Sequence, residues 1–142
     1  YLHPYGKNKL LGIGMNVDEK TMSTDGVKLT MFDISDPENV KEEQTYVIEN
    51  VYYTDVSYAY KAALVDAETN LIGFAADSGR EYYTFSYDEK QGFTCTMHEE
   101  INGNNMRITR GIYIEDMLYV IQGNIIEAYS LKDFKKVDDI IL

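Results

Sequence analysis

Residues 32–39 read "FDISDPEN", in which Asp33, Ser35, Asp36 and Glu38 crowd oxygen-bearing side chains around Pro37. Hard oxygen donors at this density are what calcium selects, so Asp33 and Asp36 are the candidate cation ligands of the chain. An EF-hand-like loop further needs ligands at alternate positions, a central Gly and a terminal Glu. "DISDPENVKEE" has no such Gly and brings Lys41 in among the acids. The competing reading is a corner: Pro37 presets φ for the second position of a turn, and Asp36 before it accepts backbone N–H bonds. The residues favour the corner. No cofactor is expected beyond, at most, structural calcium.

Other patterns carry less chemistry. "GIGMNVD" at 12–18 contains Gly12 and Gly14, but a dinucleotide fingerprint needs a third glycine and a following helix. Glycine inside a strand more often marks close packing. His3 and His98 are the only histidines, and neither has an acid or thiol partner at zinc-ligand spacing. Cys95 in "GFTCTMHEE" lies three positions from His98, which in an extended chain puts them on opposite faces and outside dyad reach. Serines occur in no G-x-S-x-G context. No catalytic residue is expected.

The elements that must position these residues are strands. Short runs rich in Val, Ile, Tyr, Phe and Thr alternate with Gly, Asn and Asp, and no sustained helical period appears. Of the 142 residues 44% are hydrophobic, enough to bury a core, and 13 are Tyr. Tyr favours strands and keeps its hydroxyl wet while its ring is buried. The net charge of −11 argues against nucleic acid, whose phosphates need a basic stripe, and against an anionic membrane surface. No run of about 18 apolar residues exists to span a bilayer. A lone cysteine makes no internal disulfide and decides nothing about compartment. The sequence begins at Tyr1, so a signal peptide or anchor upstream would not be visible.

Aligning the runs exposes three copies of one strand–turn–strand–turn–strand–turn–strand unit, at residues 1–50, 60–101 and 108–142. Their roughly 50-residue spacing is that of propeller blades. The second strands, Leu10–Met15, Leu71–Ala76 and Met117–Gln122, are apolar at successive positions, as in a sheet covered on both faces. The fourth strands, "KEEQTYVIE" and "KKVDDIIL", mix in the charges that protect an outer edge. The predicted fold is all-β, a β-propeller fragment of about three four-stranded antiparallel blades.

"YLHPYGKNKLLGIG", "GVKLTMFDISDPENVKEE", "YAYKAALVDAETNLIGFA" and "RGIYIEDMLYVIQGNIIEAYSL" together cover most of the chain. They resemble the prokaryotic secreted β-propeller proteins distantly related to WD-repeat proteins. The resemblance implies a secreted or cell-surface location, more than three blades in the whole propeller, and no established catalytic residues. Where that family often carries an Asp-His pair before "KAF", this chain has Ala59-Tyr60 before "KAA", so a site using that pair is not expected here.

Strand parity sends the long, unequal segments to one side of such a unit: 16–26, 49–60 and 102–107. Irregular loops on a rigid framework are where binding usually lives. Tyr52, Tyr53, Asp55 and Tyr58 from the second segment, with Asn102, Asn104, Asn105 and Arg107 from the third, are the candidate partner-binding residues. Flat rings with hydrogen-bonding tips suit a protein or carbohydrate. The expected function is non-enzymatic binding; the alternative is a propeller-type hydrolase or lyase whose site other blades complete. Repeat arrays need capped ends, and neither end looks polar, so further blades or self-association are expected to cover them.

Overall fold

The computed structural model describes residues 1–104 and 108–142. Among these, twelve strands form three four-stranded antiparallel sheets, each with its strands side by side in chain order. The first holds β1 (Leu2–Pro4), β2 (Lys9–Val17), β3 (Thr24–Asp33) and β4 (Lys41–Glu49). The second holds β5 (Leu64–Asp66), β6 (Leu71–Ala76), β7 (Glu81–Asp88) and β8 (Gly92–Glu100). The third holds β9 (Arg110–Ile114), β10 (Met117–Gln122), β11 (Ile125–Ser130) and β12 (Lys136–Ile141). Asn8 and Asn70 turn the first hairpin of the first two sheets at φ of 64° and 55°, a region Asn tolerates better than most residues. Among the described residues no helix is long and apolar enough to cross a membrane.

The apolar residues collect into two cores, one in each gap between sheets. Leu11, Ile13, Leu29 and Met31 of the first sheet meet Phe74, Tyr83 and Phe85 of the second. Ala75, Tyr82 and Met97 on the second sheet's other side meet Leu118, Val120 and Tyr129 of the third. Among the described residues only the middle sheet has a neighbour on each face, and all six residues of β6 are accordingly buried. β10 is apolar at nearly the same positions yet alternates: Leu118, Val120 and Gln122 are buried, Met117, Tyr119 and Ile121 only half-buried. The apolar run thus gains cover on both faces only where neighbouring sheets flank it. Leu2, Ile112 and Ile114 remain exposed on the inner strands of the end sheets. β12 is exposed throughout, as befits an outer edge.

Tyrosine hydroxyls tie the sheets together. Tyr5 donates to Asn70 Oδ1 at 2.6 Å, and the Asn70 amide exchanges two bonds with the Tyr87 backbone. Tyr87 in turn donates to Glu43 Oε2 at 3.0 Å, which also holds Lys9 at 2.7 Å. Tyr113 of the third sheet donates to Asp66 of the second. That bond, with the Thr69 and Glu68 amides behind it, holds the Asp66 carboxyl below its ordinary range despite partial desolvation. A depressed folded pKa contributes stability above the unfolded value that is lost as pH falls through the folded one. Tyr113→Phe is expected to raise the Asp66 pKa toward that of a free carboxylate and to remove this acid-sensitive share. Carboxyl-carbon NMR titration reads the shift directly; an unmoved Asp66 would deny the tie.

A tighter joint lies between the second and third sheets. Tyr82 is fully buried and its hydroxyl rests in a niche made by Gly73 and Gly111. A Cβ on Gly111 would stand 1.8 Å from that oxygen and one on Gly73 2.7 Å. Among the described residues this hydroxyl is the buried side-chain polar atom without a hydrogen-bond partner.

Candidate functional site

The acid-rich stretch is a corner. Asp33 Oδ1 accepts the Ser35 N–H at 2.8 Å, and Asp36 Oδ1 accepts that of Glu38 at 3.0 Å. The Asn39 N–H closes the turn on the Asp36 carbonyl. The Ser35 bonds lower the Asp33 pKa more than its slight desolvation raises it. Asp88 and Asp133 repeat the device in the other two sheets, accepting the N–H of Lys90 and Lys135. An aspartate bonding two residues ahead is the standard way to turn a chain between strands. Among the described residues no three His, Cys, Asp or Glu side chains gather as a metal would require. Gly12 pairs with Leu2 and Thr30 inside the first sheet, and a Cβ there would meet the Phe32 ring at 3.1 Å, so close packing explains it.

The structure corrects one expectation about β8. Thr84 pairs with Met97 but Phe85 pairs with Cys95, so Thr96 is an extra residue in a β-bulge. A bulge shifts the alternation by one, which puts Cys95 and His98 on the same face rather than opposite faces. Each side chain bonds elsewhere. The Cys95 thiol donates to the Met97 carbonyl at 3.4 Å, and burial raises its pKa. The His98 ring stacks on Tyr83 with centroids 4.2 Å apart, and its Nε2 lies 3.0 Å from Glu81. His3 is likewise engaged, its Nδ1 2.9 Å from the Tyr1 hydroxyl.

The connector 51–63 carries the aromatic candidates. Two single 3-10 turns, Asp55–Ser57 and Tyr60–Ala62, shape it. Thr54 caps the first by accepting the Val56 N–H, and its hydroxyl donates to the Ala75 carbonyl at 2.8 Å. Tyr52 and Tyr58 are 61% and 59% exposed, and Tyr53 40%. The rings of Tyr53 and Tyr58 lie 5.5 Å apart. Tyr60, which parity alone did not single out, joins them at 69% exposure, with Lys61 Nζ over its ring.

Asp55 departs from its expected place on the contact surface. It is 3% exposed, and its carboxylate accepts the Tyr58 hydroxyl at 2.9 Å and the Thr109 N–H at 3.1 Å. Burial first, then the Tyr53 hydroxyl and the Asp55 carboxylate, push the Tyr58 pKa well up. Asp55 holds this row of exposed rings, a tyrosine ledge on the connector, from beneath and ties it to the start of the third sheet. The short segment needed that carboxylate to bind the N–H of a chain 54 positions away, which no local pattern reveals.

Beside the ledge lies a cleft of about 530 Å³ between the lower rims of the second and third sheets. Asn102 and Asn104 line it, as do Asp77, Ser78, Arg80 and Glu100. Asn105 and Arg107 lie outside the described residues. The Gly103 and Asn104 amides are held by Gln122 and Asn124 side chains at 2.8 and 3.1 Å. The Gly79 carbonyl accepts both Thr109 Oγ1 and Gln122 Nε2. Ledge and cleft are continuous, because the Asp77 N–H donates to the Tyr53 carbonyl at 3.1 Å. Asp77, Ser78 and Arg80 sit on the short turn "DSGR", whose length does not mark it as part of a binding face. Its place between the second and third strands, on the side of the long loops, was the available signal.

The family described as Beta propeller domain matches residues 1–134 by its sequence profile. An uncharacterized protein of Archaeoglobus fulgidus is 32% identical over 142 residues, covering 100% of this chain and 20% of its own length. One from Methanocaldococcus jannaschii is 27% identical over 139 residues, covering 98% and 19%. The chain therefore spans about a fifth of the curated relatives it matches. Among solved structures, Kluyveromyces lactis Hsv2 superposes with a TM-score of 0.47 at 12% identity, over 95% of this chain and 34% of that one. KlHsv2 with loop 6CD replaced by a Gly-Ser linker gives 0.47 and 12%, over 95% and 36%.

Proposed function

We propose, from the premise that this chain belongs to the beta propeller domain family, that it is a non-catalytic propeller segment of a secreted or cell-surface protein. It binds a protein or glycan partner through the long-loop face. One observation carries this reading: four exposed tyrosines on a connector braced by the buried Asp55. Aromatic rings held rigidly at a surface lose little conformational freedom on binding and are the usual anchors of recognition. The compartment rests on the family resemblance of the quoted segments. The reading needs no cofactor. Further blades, or a second copy, cover the apolar outer faces of the first and third sheets.

The test is a Tyr52→Ala/Tyr58→Ala variant of the intact protein, assayed by biosensor against panels of soluble oligosaccharides and of basic peptides. Basic peptides are chosen because the chain carries a net charge of −11. Whichever panel binds, the variant is expected to weaken it at least about tenfold, the cost of removing an aromatic anchor. Unchanged binding by a variant with an unaltered melting curve would move the partner to another face.

A further inference from the structure

The cleft beside the tyrosine ledge has no assigned ligand. Its mouth is formed by Asp77, Ser78, Arg80, Asn102 and Asn104, all exposed. Among the described residues none of these side chains hydrogen-bonds to another protein group, whereas the floor beneath them is fixed by the Gln122 and Asn124 bonds. The result is a rigid base with a rim of unspent donors and acceptors: carboxylate, hydroxyl, guanidinium and two amides. Its volume falls in the range of small-ligand sites, roughly 300–1,000 Å³.

We infer that this cleft, together with the ledge, is a binding site for a neutral oligosaccharide; the inference rests on the long-loop face being the binding face. Three observations select that class. Protein partners anchor large apolar side chains in desolvated sockets. Among the described lining residues the aliphatic one, Ile101, is itself buried, so these residues offer no such socket. Among the described lining residues Asp77 and Glu100 outnumber Arg80, in a chain already at −11, which disfavours carboxylated or sulfated sugars. Finally, Tyr53 and Tyr58 stand next to the cleft, held to it through Asp77. A sugar ring presents an apolar C–H face and a rim of hydroxyls. The tyrosine rings match the first and the amide–carboxylate rim the second, since a hydroxyl both donates and accepts.

The experiment is saturation-transfer NMR on the intact protein with three probes: a neutral tetrasaccharide series, the same series bearing uronic acids, and basic peptides. Two variants accompany it, Asp77→Ala/Asn102→Ala in the cleft and Tyr52→Ala/Tyr58→Ala on the ledge. The expected result is saturation of the neutral sugars alone, weakened about tenfold or more by the cleft pair. Arg80→Met, which keeps the stem, is expected to lower affinity without changing the melting curve. Peptide binding that the ledge pair abolishes, with no sugar binding, would overturn the glycan inference and leave the face intact. Preference for the acidic sugars, or no binding by any probe, would also overturn it. Neutral-sugar binding indifferent to both pairs would overturn the inference and the choice of face together.

Discussion

Gly111→Ala is expected to destabilise the protein by about 3 kcal/mol, the upper end for overpacking a filled interior. The added Cβ would lie 1.8 Å from the Tyr82 hydroxyl and 2.6 Å from the ring carbon bearing it. Neither can retreat, because Tyr82 is fully buried with Gly73 crowding its other side. Tyr82→Phe alone should behave oppositely. It removes a buried hydroxyl without a hydrogen-bond partner, so stability should hold or rise by about 1 kcal/mol. The double variant should recover part of the loss, since the ring carbon still obstructs the new methyl. Calorimetry on the four proteins closes the cycle. At about 3–4 °C per kcal/mol, Gly111→Ala should lower the midpoint by roughly 10 °C. A midpoint within about 2 °C of wild type would mean that the second and third sheets do not meet through this niche.

Asp55→Ala should cost a similar amount by a different route. The carboxylate accepts from Tyr58 and from the Thr109 N–H, and all three groups lie in or under the connector. Thr109 is fully buried, so its N–H would be left without a partner in the interior. Losing a hydrogen bond to a charged acceptor and stranding the donor together cost about 3 kcal/mol. Asp55→Asn, which keeps an acceptor, should cost about 1 kcal/mol. Hydrogen exchange offers a local check: the Thr109 amide should exchange faster in Asp55→Ala by at least the factor that global stability falls. Because Asp55 also fixes Tyr58, partner binding should weaken even at temperatures where the fold survives. A loss under about 1 kcal/mol would show that the ledge is braced from elsewhere.

Gly111 and Asp55 also mark what a single sequence does not display. The strands, their grouping into three sheets and the polar outer edges follow from features a single chain displays: composition of each run, turn residues, and charges on the fourth strands. The corner at Asp36 was legible because an aspartate before proline acts within its own turn. Asp55 was legible as part of a loop, yet its burial depends on Thr109 of a different sheet. The side that Cys95 faces departs from simple alternation, because the bulge at Thr96 leaves no mark in "GFTCTMHEE". Likewise "RGIYIE" gives no hint that its glycine receives a tyrosine from the neighbouring sheet. Contacts within a turn can be read in sequence; contacts between sheets require knowing which faces meet.

The tyrosine ties set a limit on the medium this fold tolerates. Among the described residues five phenols donate to carboxylates: Tyr87 and Tyr113 across the gaps between sheets, and Tyr58, Tyr83 and Tyr129 to acids two or three positions away on their own segment. For Tyr5, burial and then the nearby Asp66 charge raise the pKa to about 12. An unfolded chain would surrender such protons near pH 10. The stability they lend is therefore complete in milder solutions and drains away through the alkaline range. Each phenolate formed would confront an anion it formerly held. Lye, by stripping these phenols, would loosen the sheets where Tyr87 and Tyr113 bridge them, from the side opposite to acid.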